Sequence, residues 1–434
     1  HAWSTEDLPA FWDAVCKFGD VTFDSAARES LARPSNMMDA GWYEGSQLNF
    51  AEHLLRHRGA KAALVFCGED GSRRELSRDE LRQAVADIAQ GLRDAGVVKG
   101  DRVAGYLPNC PEAMIAMMAA TSIGAIWSSC SPDFGVNGVV DRFGQIEPAV
   151  FIATNGYFYN GKQIDCLPVV REIVQKIPTI HHTVIVDFLG DGSVIDAAGF
   201  SQWQDFAVAD AALEFVPVEF NHPLYVMYSS GTTGAPKCIV HGHGGTLLKH
   251  ICELMLQTDV NANDRLFYFT TCGWMMWNWL VSGLLPGATL ILFDGAPFVG
   301  EGRALWKLVE REKISIFGTS AKYISALEKS GLRPVDEFDV SSIRTILSTG
   351  SPLAPESFDF VYDAIRSDVQ LASIAGGTDL LGCFAAGSPL LPVRRGELQC
   401  RGLGMAVEVY DDSGNALLEE KGELVCSKPF PSTP

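Results

Sequence analysis

The apolar residues of this chain fall into two alternating patterns. Between residues 80 and 96 they recur at Leu81, Val85, Ile88 and Leu92, a spacing that predicts an amphipathic helix. Short apolar runs after turn residues predict buried strands at 100–107, 125–128, 184–188, 224–228, 288–293, 315–318 and 343–348. Strands that alternate with helices are typical of α/β folds with parallel sheets. We therefore expect two doubly wound βα subdomains, at roughly 50–220 and 221–385.

The last part of the chain has a different pattern. After Gly396 the apolar runs are shorter and alternate with polar residues, and an Asp-Asp-Ser-Gly turn lies at 411–414. Short alternating strands joined by tight turns are typical of antiparallel structure. We expect a small β-barrel or sheet subdomain at roughly 386–434.

One stretch, 266–293, contains no charged residue and is long enough to be considered as a membrane span. Pro286 and Gly287 divide it. This division favours a buried helix in the dozen residues before the pair and a buried strand at 288–293, so we expect no membrane span.

Charge and cysteine usage narrow the class of protein. Lys and Arg total 34 against 53 Asp and Glu, a formal net charge of −19, which argues against nucleic acid and anionic membranes as partners. The 11 cysteines form no CxxC pair, which favours reduced thiols in a cytoplasmic protein. An anionic ligand would therefore need a locally built site. The sequence does not predict an oligomeric state.

The candidate for such a site is the segment 228–237, which follows the apolar strand at 224–228. Its glycines allow a ligand to approach the backbone, its hydroxyls offer donors and its lysine supplies charge, all of which suit a polyphosphate. The spacing differs from the P-loop of NTPases. An ordinary surface turn is the alternative. The predicted phosphate-binding residues are Ser229, Ser230, Gly231, Thr232, Thr233, Gly234 and Lys237.

The order of residues in this segment resembles the signature loop of the adenylate-forming superfamily, which contains acyl-CoA synthetases, luciferases and peptide-synthetase adenylation domains. Two further segments are similar to nucleotide-binding segments of that family, namely 348–353 and 373–378. The resemblance implies that they surround AMP. A plain strand-to-helix turn is the alternative for the first. The implied residues are Gly350, Ser351, Pro352, Ser373, Ile374, Ala375, Gly376, Gly377 and Thr378.

The family places a Thr-Glu pair where this chain has Thr378 and Asp379. The family's carboxylate helps to hold Mg²⁺, and an Asp is one methylene shorter but an equally hard oxygen ligand. The resemblance therefore implies that Asp379 is the metal ligand. It also implies that Thr232, Lys237 and Asp379 act in catalysis.

The segment 273–279, Gly-Trp-Met-Met-Trp-Asn-Trp, would alone suggest a core helix. It looks like the acyl-pocket segment of the acetoacetyl-CoA synthetase group, which implies that Trp274, Met275, Met276 and Trp277 line the substrate pocket. Related acetyl-CoA synthetases carry a Trp where Gly376 falls, so we expect Gly376 to leave room for a longer acid.

The resemblance implies an ATP-dependent ligase that joins acetoacetate to CoA through an acyl-adenylate, with ATP and Mg²⁺ as cofactors, CoA as co-substrate, and AMP and pyrophosphate as products. A synthetase for another short acid and a nucleotide-binding module without catalysis are the alternatives. The family also has a small C-terminal lid domain that is absent from these 434 residues, so we expect this chain to bind nucleotide but to adenylate poorly.

Two other polar groups have competing interpretations. The segment 160–162, Asn-Gly-Lys, could contact the phosphates of CoA, although a solvated turn is favoured. His241, His243 and His250 lack the partners of a convincing metal site, and we expect them to lie beside the nucleotide or to pack in the core.

Overall fold

A computed structural model of the chain describes residues 1–192, 199–229, 234 and 236–434. Its α-helices are α1 Ala2–Glu6, α2 Leu8–Phe18, α3 Phe50–Leu54, α4 Arg78–Asp94, α5 Pro111–Ser122, α6 Val136–Ile146, α7 Leu167–Lys176, α8 Trp203–Phe206, α9 His243–Ile251, α10 Met275–Val281, α11 Ala304–Glu312, α12 Ala321–Ser330, α13 Pro334–Glu337 and α14 Pro355–Phe360. Two helices continue as π-helical turns, α9 into Cys252–Gln257 and α14 into Val361–Ile365, and α10 continues as the 3-10 turn Ser282–Leu284.

The strands are β1 Leu31–Ala32, β2 Gly41–Trp42, β3 Gln47–Leu48, β4 Ala62–Gly68, β5 Arg73–Ser77, β6 Arg102–Tyr106, β7 Ile126–Cys130, β8 Val150–Thr154, β9 Gly156–Tyr159, β10 Lys162–Asp165, β11 His182–Val186, β12 Ser201–Gln202, β13 Val218–Glu219, β14 Pro223–Tyr228, β15 Cys238–Gly242, β16 Arg265–Tyr268, β17 Thr289–Asp294, β18 Ile316–Ser320, β19 Thr345–Thr349, β20 Gln370–Ser373, β21 Ala375–Gly377, β22 Gly382–Ala386, β23 Cys400–Arg401, β24 Val407–Tyr410, β25 Ala416–Leu417 and β26 Glu423–Cys426. Each strand expected from an apolar run before residue 350 overlaps one of these, which confirms the α/β pattern.

Two seven-stranded sheets form the body of the chain. Sheet I has the order β12-β11-β8-β6-β7-β14-β15 and sheet II the order β20-β19-β18-β16-β17-β4-β5. Both are parallel apart from the last strand of each, β15 and β5, which pair in antiparallel fashion. The sheets do not divide the chain near residue 220 as expected, because β4 and β5 belong to sheet II while β14 and β15 belong to sheet I. A pattern of apolar runs predicts strands but not their partners.

Three hydrophobic clusters place the helices in layers around the sheets. One cluster lies between the sheets and contains α5, whose residues are all buried except Glu112. A second covers the outer face of sheet II with α11 and α12, and a third covers the outer face of sheet I with α6 and α7. Parallel sheets need apolar cover on both faces, and this arrangement of five layers provides it.

The end of the chain is antiparallel, as expected, but it forms two small sheets. One has the order β21-β22-β23 and the other β25-β24-β26. The first begins at Ala375, before the expected boundary at 386. In the part of the chain that the structure describes, the predicted barrel is therefore a pair of three-stranded sheets.

The uncharged stretch folds as a strand, a helix and a second strand, β16, α10 and β17. The prediction of a buried helix in the dozen residues before Pro286 is confirmed by α10 and its 3-10 turn. The strand at 266–268, which pairs with β17 and β18, was not predicted. Within the described residues, no helix has both the length and the apolar character needed to cross a membrane.

Candidate functional site

A cavity of about 450 Å³ opens where the parallel strands of sheet II end. Open α/β sheets commonly bind ligands at this edge, because the loops after the strands diverge there. Its walls include the predicted nucleotide segments, 350–352 and 373–378, and the aromatic segment 274–276. The structure therefore brings together residues that lie up to about a hundred positions apart in the sequence.

Hydrogen bonds between neighbouring strands hold the predicted nucleotide segments in place. The N–H group of Ile374 donates to the carbonyl oxygen of Ser348 at 2.8 Å, and the hydroxyl of Thr349 donates to the carbonyl oxygen of Ile374 at 2.9 Å. Gly350 has a φ of +88°, a conformation that favours glycine, and it turns the chain immediately after β19. Ser351 and Pro352, which follow, line the cavity.

The pair Thr378-Asp379 forms the turn between β21 and β22. The N–H group of Leu381 closes this turn on the carbonyl oxygen of Thr378 at 3.3 Å, and that oxygen also contacts Nε2 of His241 at 2.7 Å. His241 lies on β15 and is buried, and burial lowers its pKa. Thr378 borders the cavity, and the Asp379 side chain is exposed at the turn. The neutral imidazole thus connects the turn to the strand that follows the predicted phosphate loop.

The predicted phosphate loop connects two antiparallel strands, β14 and β15, rather than a strand and a helix. Ser229 and Lys237 close its base, since the N–H group of Ser229 donates to the Lys237 carbonyl oxygen at 3.0 Å. Gly234 has a φ of +139°, and the Lys237 side chain is exposed. The predicted residues Ser230, Gly231, Thr232 and Thr233 lie outside the described residues.

The aromatic segment divides between cavity and core. Trp274 and Met275 border both this cavity and a second one, and Met276 borders the first. Trp277 lines neither of these two cavities in the part of the chain that the structure describes. It is fully buried, and its Nε1 donates to Oδ1 of Asn109 at 3.1 Å. Helical geometry turns it away from Met275, so the structure does not support its predicted place in the substrate pocket, which stays a prediction.

Gly376 borders the cavity, but the reason for the glycine differs from the expected one. A Cβ at this position would overlap the carbonyl oxygen of Gly382 and lie 2.7 Å from Cα of Cys383. Both residues belong to β22, the neighbouring strand. The glycine therefore permits close approach of two strands, and its missing side chain does not by itself measure room for a longer acid.

The second cavity, of about 340 Å³, lies at the end of β14. It shares Trp274, Met275 and Thr378 with the first cavity, so the two spaces adjoin. Tyr225 and Asn278 also line it, although both are at least 96% buried. Sequence reasoning missed Tyr225 because a lone tyrosine in an apolar strand suggests core packing. Asn278 carried a signal, since it interrupts the aromatic run of α10.

The remaining polar candidates are structural. His243 accepts a hydrogen bond from the Phe50 N–H group at Nδ1, and His250 contacts the Ser282 hydroxyl at 2.6 Å. Burial lowers the pKa of His250 to about 3, so it is neutral. In the described ranges no group of three or more His, Cys, Asp or Glu side chains is placed to hold a metal ion. The prediction that these histidines pack in the core or lie near the predicted site is confirmed.

The segment 160–162 forms the turn of the β9–β10 hairpin, which confirms the favoured interpretation of a turn. Its first two N–H groups, of Asn160 and Gly161, donate to the carboxylate of Glu69 at 3.0 and 2.8 Å. The carboxylate thus holds the hairpin against the end of β4.

Comparison with known proteins connects this geometry to a family. Residues 50–432 match the family model described as AMP-binding enzyme. The chain is 50% identical to acetoacetyl-coenzyme A synthetase of Rhizobium meliloti (strain 1021), with 100% of the chain and 67% of the relative covered. It is 44% identical to acetoacetyl-CoA synthetase of Xenopus tropicalis, with 100% of the chain and 66% of the relative covered.

Comparison with solved structures shows a closely similar fold. Acetoacetyl-CoA synthetase from Streptomyces lividans matches with a TM-score of 0.96 at 43% identity, covering 100% of this chain and 68% of that one. The chain thus spans about two thirds of the length of the relatives that it matches.

Proposed function

Because the chain belongs to the AMP-binding enzyme family, we propose that it is the nucleotide-binding part of an ATP-dependent ligase that joins acetoacetate to CoA. The observation that carries the proposal is the single cavity in which the predicted nucleotide segments face the segment 274–276. A nucleotide and an acid held in one cavity can react without a long diffusion step. The names of the relatives supply the identity of the acid.

The reaction has two steps. A carboxylate oxygen of the acid attacks the α-phosphorus of ATP, the bond to the bridging oxygen breaks, and pyrophosphate leaves. The thiol of CoA then loses its proton, its sulfur attacks the acyl carbon, the bond from that carbon to the phosphate oxygen breaks, and AMP leaves. Neither step needs a covalent bond to the protein, so catalysis rests on positioning and on stabilising phosphate charge.

Each predicted residue has a role in this scheme. Gly350–Pro352 and residues 373–378 enclose the adenosine, while Thr232, Thr233 and Lys237 donate to the phosphates. Asp379 is exposed at its turn next to the cavity, where a carboxylate can reach a phosphate-bound cation. Since the described residues hold no three-ligand cluster, Asp379 would share Mg²⁺ with phosphate oxygens. The bound ion would neutralise phosphate charge.

The proposal is tested with the complete protein that contains this chain, by acid-dependent exchange between ATP and pyrophosphate. Acetate, propionate, butyrate and acetoacetate are compared. Exchange should be fastest with acetoacetate. Faster exchange with another acid would retain the mechanism and change the substrate, and absence of exchange with every acid would contradict the ligase function.

The site residues are tested in the same assay. Thr232→Ala and Asp379→Ala should each lower the exchange rate, by roughly 100-fold, because each removes a group that contacts the phosphates or their cation. Asp412→Ala is the matched control, since Asp412 is exposed in the turn before β25 and should not affect exchange. Unchanged rates in both site variants would show that these residues do not act on the nucleotide.

A further inference from the structure

A hydroxyl group without a partner is buried beside the second cavity. Tyr225 is 1% exposed, and its Oη makes no hydrogen bond with any residue that the structure describes. Leaving a buried hydroxyl unpaired destabilises the folded protein. Such a group commonly marks a place where something else supplies the partner.

The surroundings keep this hydroxyl available as a donor. Burial raises the pKa of Tyr225 well above its usual value, so the group is protonated at neutral pH. Thr246 and Asn278 approach the hydroxyl closely enough to lower that pKa, but neither makes a hydrogen bond with Oη in this structure. The Thr246 hydroxyl already donates to the carbonyl oxygen of Gly242 at 2.7 Å.

Asn278 places a second neutral donor at the same cavity. It is 4% exposed and lies on α10, one turn after Met275 and Trp274, which separate the two cavities. Tyr225 comes from sheet I and Asn278 from the helix that follows β16, so two independent elements place polar groups at one apolar wall.

The proposed acid and its saturated analogue differ in one group. Acetoacetate and butyrate have the same chain length, but the former carries a carbonyl oxygen on its third carbon, which accepts hydrogen bonds. A wall made only of apolar side chains such as Met275 would not favour the oxo acid. A site that donates hydrogen bonds to the substrate oxygen favours the oxo acid, because the saturated analogue leaves the donors unpaired.

We propose that the Tyr225 hydroxyl and the Asn278 side-chain amide form a donor site for the 3-oxo group of a β-keto acid, which distinguishes it from a saturated acid of the same length. This inference rests on the proposed function, because the acyl group must extend from the first cavity, past Met275, into the second cavity. The two residues determine specificity and take no part in the bond changes.

The test uses the complete protein and the exchange assay with acetoacetate and butyrate. Tyr225→Phe removes only the hydroxyl, and it should lower kcat/KM for acetoacetate about tenfold while leaving the value for butyrate unchanged or higher. Asn278→Leu should also lower the ratio of kcat/KM for acetoacetate to kcat/KM for butyrate. Because the Tyr225 hydroxyl has no partner, the melting temperature of Tyr225→Phe should not fall.

Tyr323→Phe is the matched control. Its hydroxyl is also buried without a partner among the described residues, but it packs in the outer cluster of sheet II, so the ratio should not change. Wild-type preference for acetoacetate that persists in both Tyr225→Phe and Asn278→Leu would overturn the donor site and leave the ligase function intact. Wild-type exchange that is absent for all acids, or faster with butyrate, would overturn the acid on which the inference depends.

Discussion

Met275 and Trp277 are two positions apart on α10 and have different surroundings. Met275 borders both cavities, while Trp277 is fully buried and donates to Asn109. Trp277→Phe should therefore lower the free energy of unfolding by roughly 1–3 kcal/mol, because the buried Asn109 oxygen loses its donor. Denaturant unfolding measures this change. The acetoacetate-to-butyrate ratio in the exchange assay should stay at the wild-type value, and an altered ratio would return Trp277 to the substrate pocket.

Asp294, at the end of β17, should make stability depend on pH. Burial, reinforced by the nearby Glu69, Asp133 and Asp70 carboxylates, raises its pKa from 3.8 to about 7, although the Asn109 N–H group donates to it. The folded state therefore holds a proton that the unfolded state loses near pH 4. This contribution to stability is complete below about pH 4 and is lost as the pH rises through about 7.

Asp294→Asn keeps the acceptor and removes the titration. The stability of the variant relative to wild type should rise between about pH 4 and 7, by roughly 4 kcal/mol, since each unit of pKa difference is worth about 1.4 kcal/mol. Thermal unfolding of both proteins across that range measures the difference. Stability curves that run parallel across the whole range would contradict the raised pKa.

The sequence brought together the segments that line the first cavity where these segments are continuous. Gly350–Pro352 and residues 373–378 line the cavity because loops after parallel strands meet at one edge of the sheet. It could not predict Tyr225, whose importance depends on the lack of a partner, or the reason for Gly376, which depends on the distance to β22. Both are properties of the packed structure and leave no local pattern.

At the scale of elements, a buried ion pair connects the end of α9 to the wall of the first cavity. Lys249 Nζ lies 3.1 Å from Glu253 Oε1, and their side chains are 1% and 4% exposed. Glu253 also accepts from the Cys383 N–H group at 2.7 Å and from Trp279 Nε1 at 3.0 Å. One carboxylate thus holds β22 and α10 in place together.

Removing one partner of this ion pair should lower the stability of the protein. Glu253→Gln leaves the Lys249 ammonium buried without a counter-charge, and we expect a loss of roughly 3–5 kcal/mol in the free energy of unfolding. The double variant Lys249→Met, Glu253→Gln should recover much of this loss, since it leaves no unpaired charge. Denaturant unfolding of both variants checks the prediction. Equal losses in the single and double variants would show that the Glu253 hydrogen bonds matter more than the ion pair.

Elements were predictable because their patterns are local. The helical spacing at Leu81–Leu92 and the apolar strands at 102–106 and 345–349 each need only a few neighbouring residues. The exception is 266–268, where an uncharged run that continues into α10 conceals a strand. Pairing in a sheet is not local, so the membership of β4 and β5 in sheet II left no signal in the sequence.

At the scale of the molecule, the net charge of −19 and the proposed anionic substrate are compatible only if the phosphate site is built locally. Lys237 and the backbone at Gly234 lie in the loop between β14 and β15, at the edge of sheet I, where we propose that such a site is built. The overall field would slow the approach of ATP rather than assist it.

The exchange of strands between the two halves predicts how the chain folds. A fragment of residues 1–220 lacks β14 and β15 of sheet I, and a fragment of residues 221–434 lacks β4, which lies beside β17 in sheet II. The cluster between the sheets also draws residues from both halves. Neither fragment can therefore bury its core alone, and we expect both to lack near-ultraviolet circular dichroism and a cooperative unfolding transition.

Refolding the two fragments together should restore both signals, because all strands of each sheet are then present. The intact chain refolded under the same conditions is the control for yield, and ATP binding by the refolded mixture reports whether the cavity has formed. Cooperative unfolding of residues 221–434 alone would mean that sheet II is stable without β4 and β5, and it would restore the division near residue 220 that the apolar pattern suggested. A mixture that stays unfolded while the intact chain refolds would instead show that the covalent connection through 220–221 is needed for the sheets to find their partners.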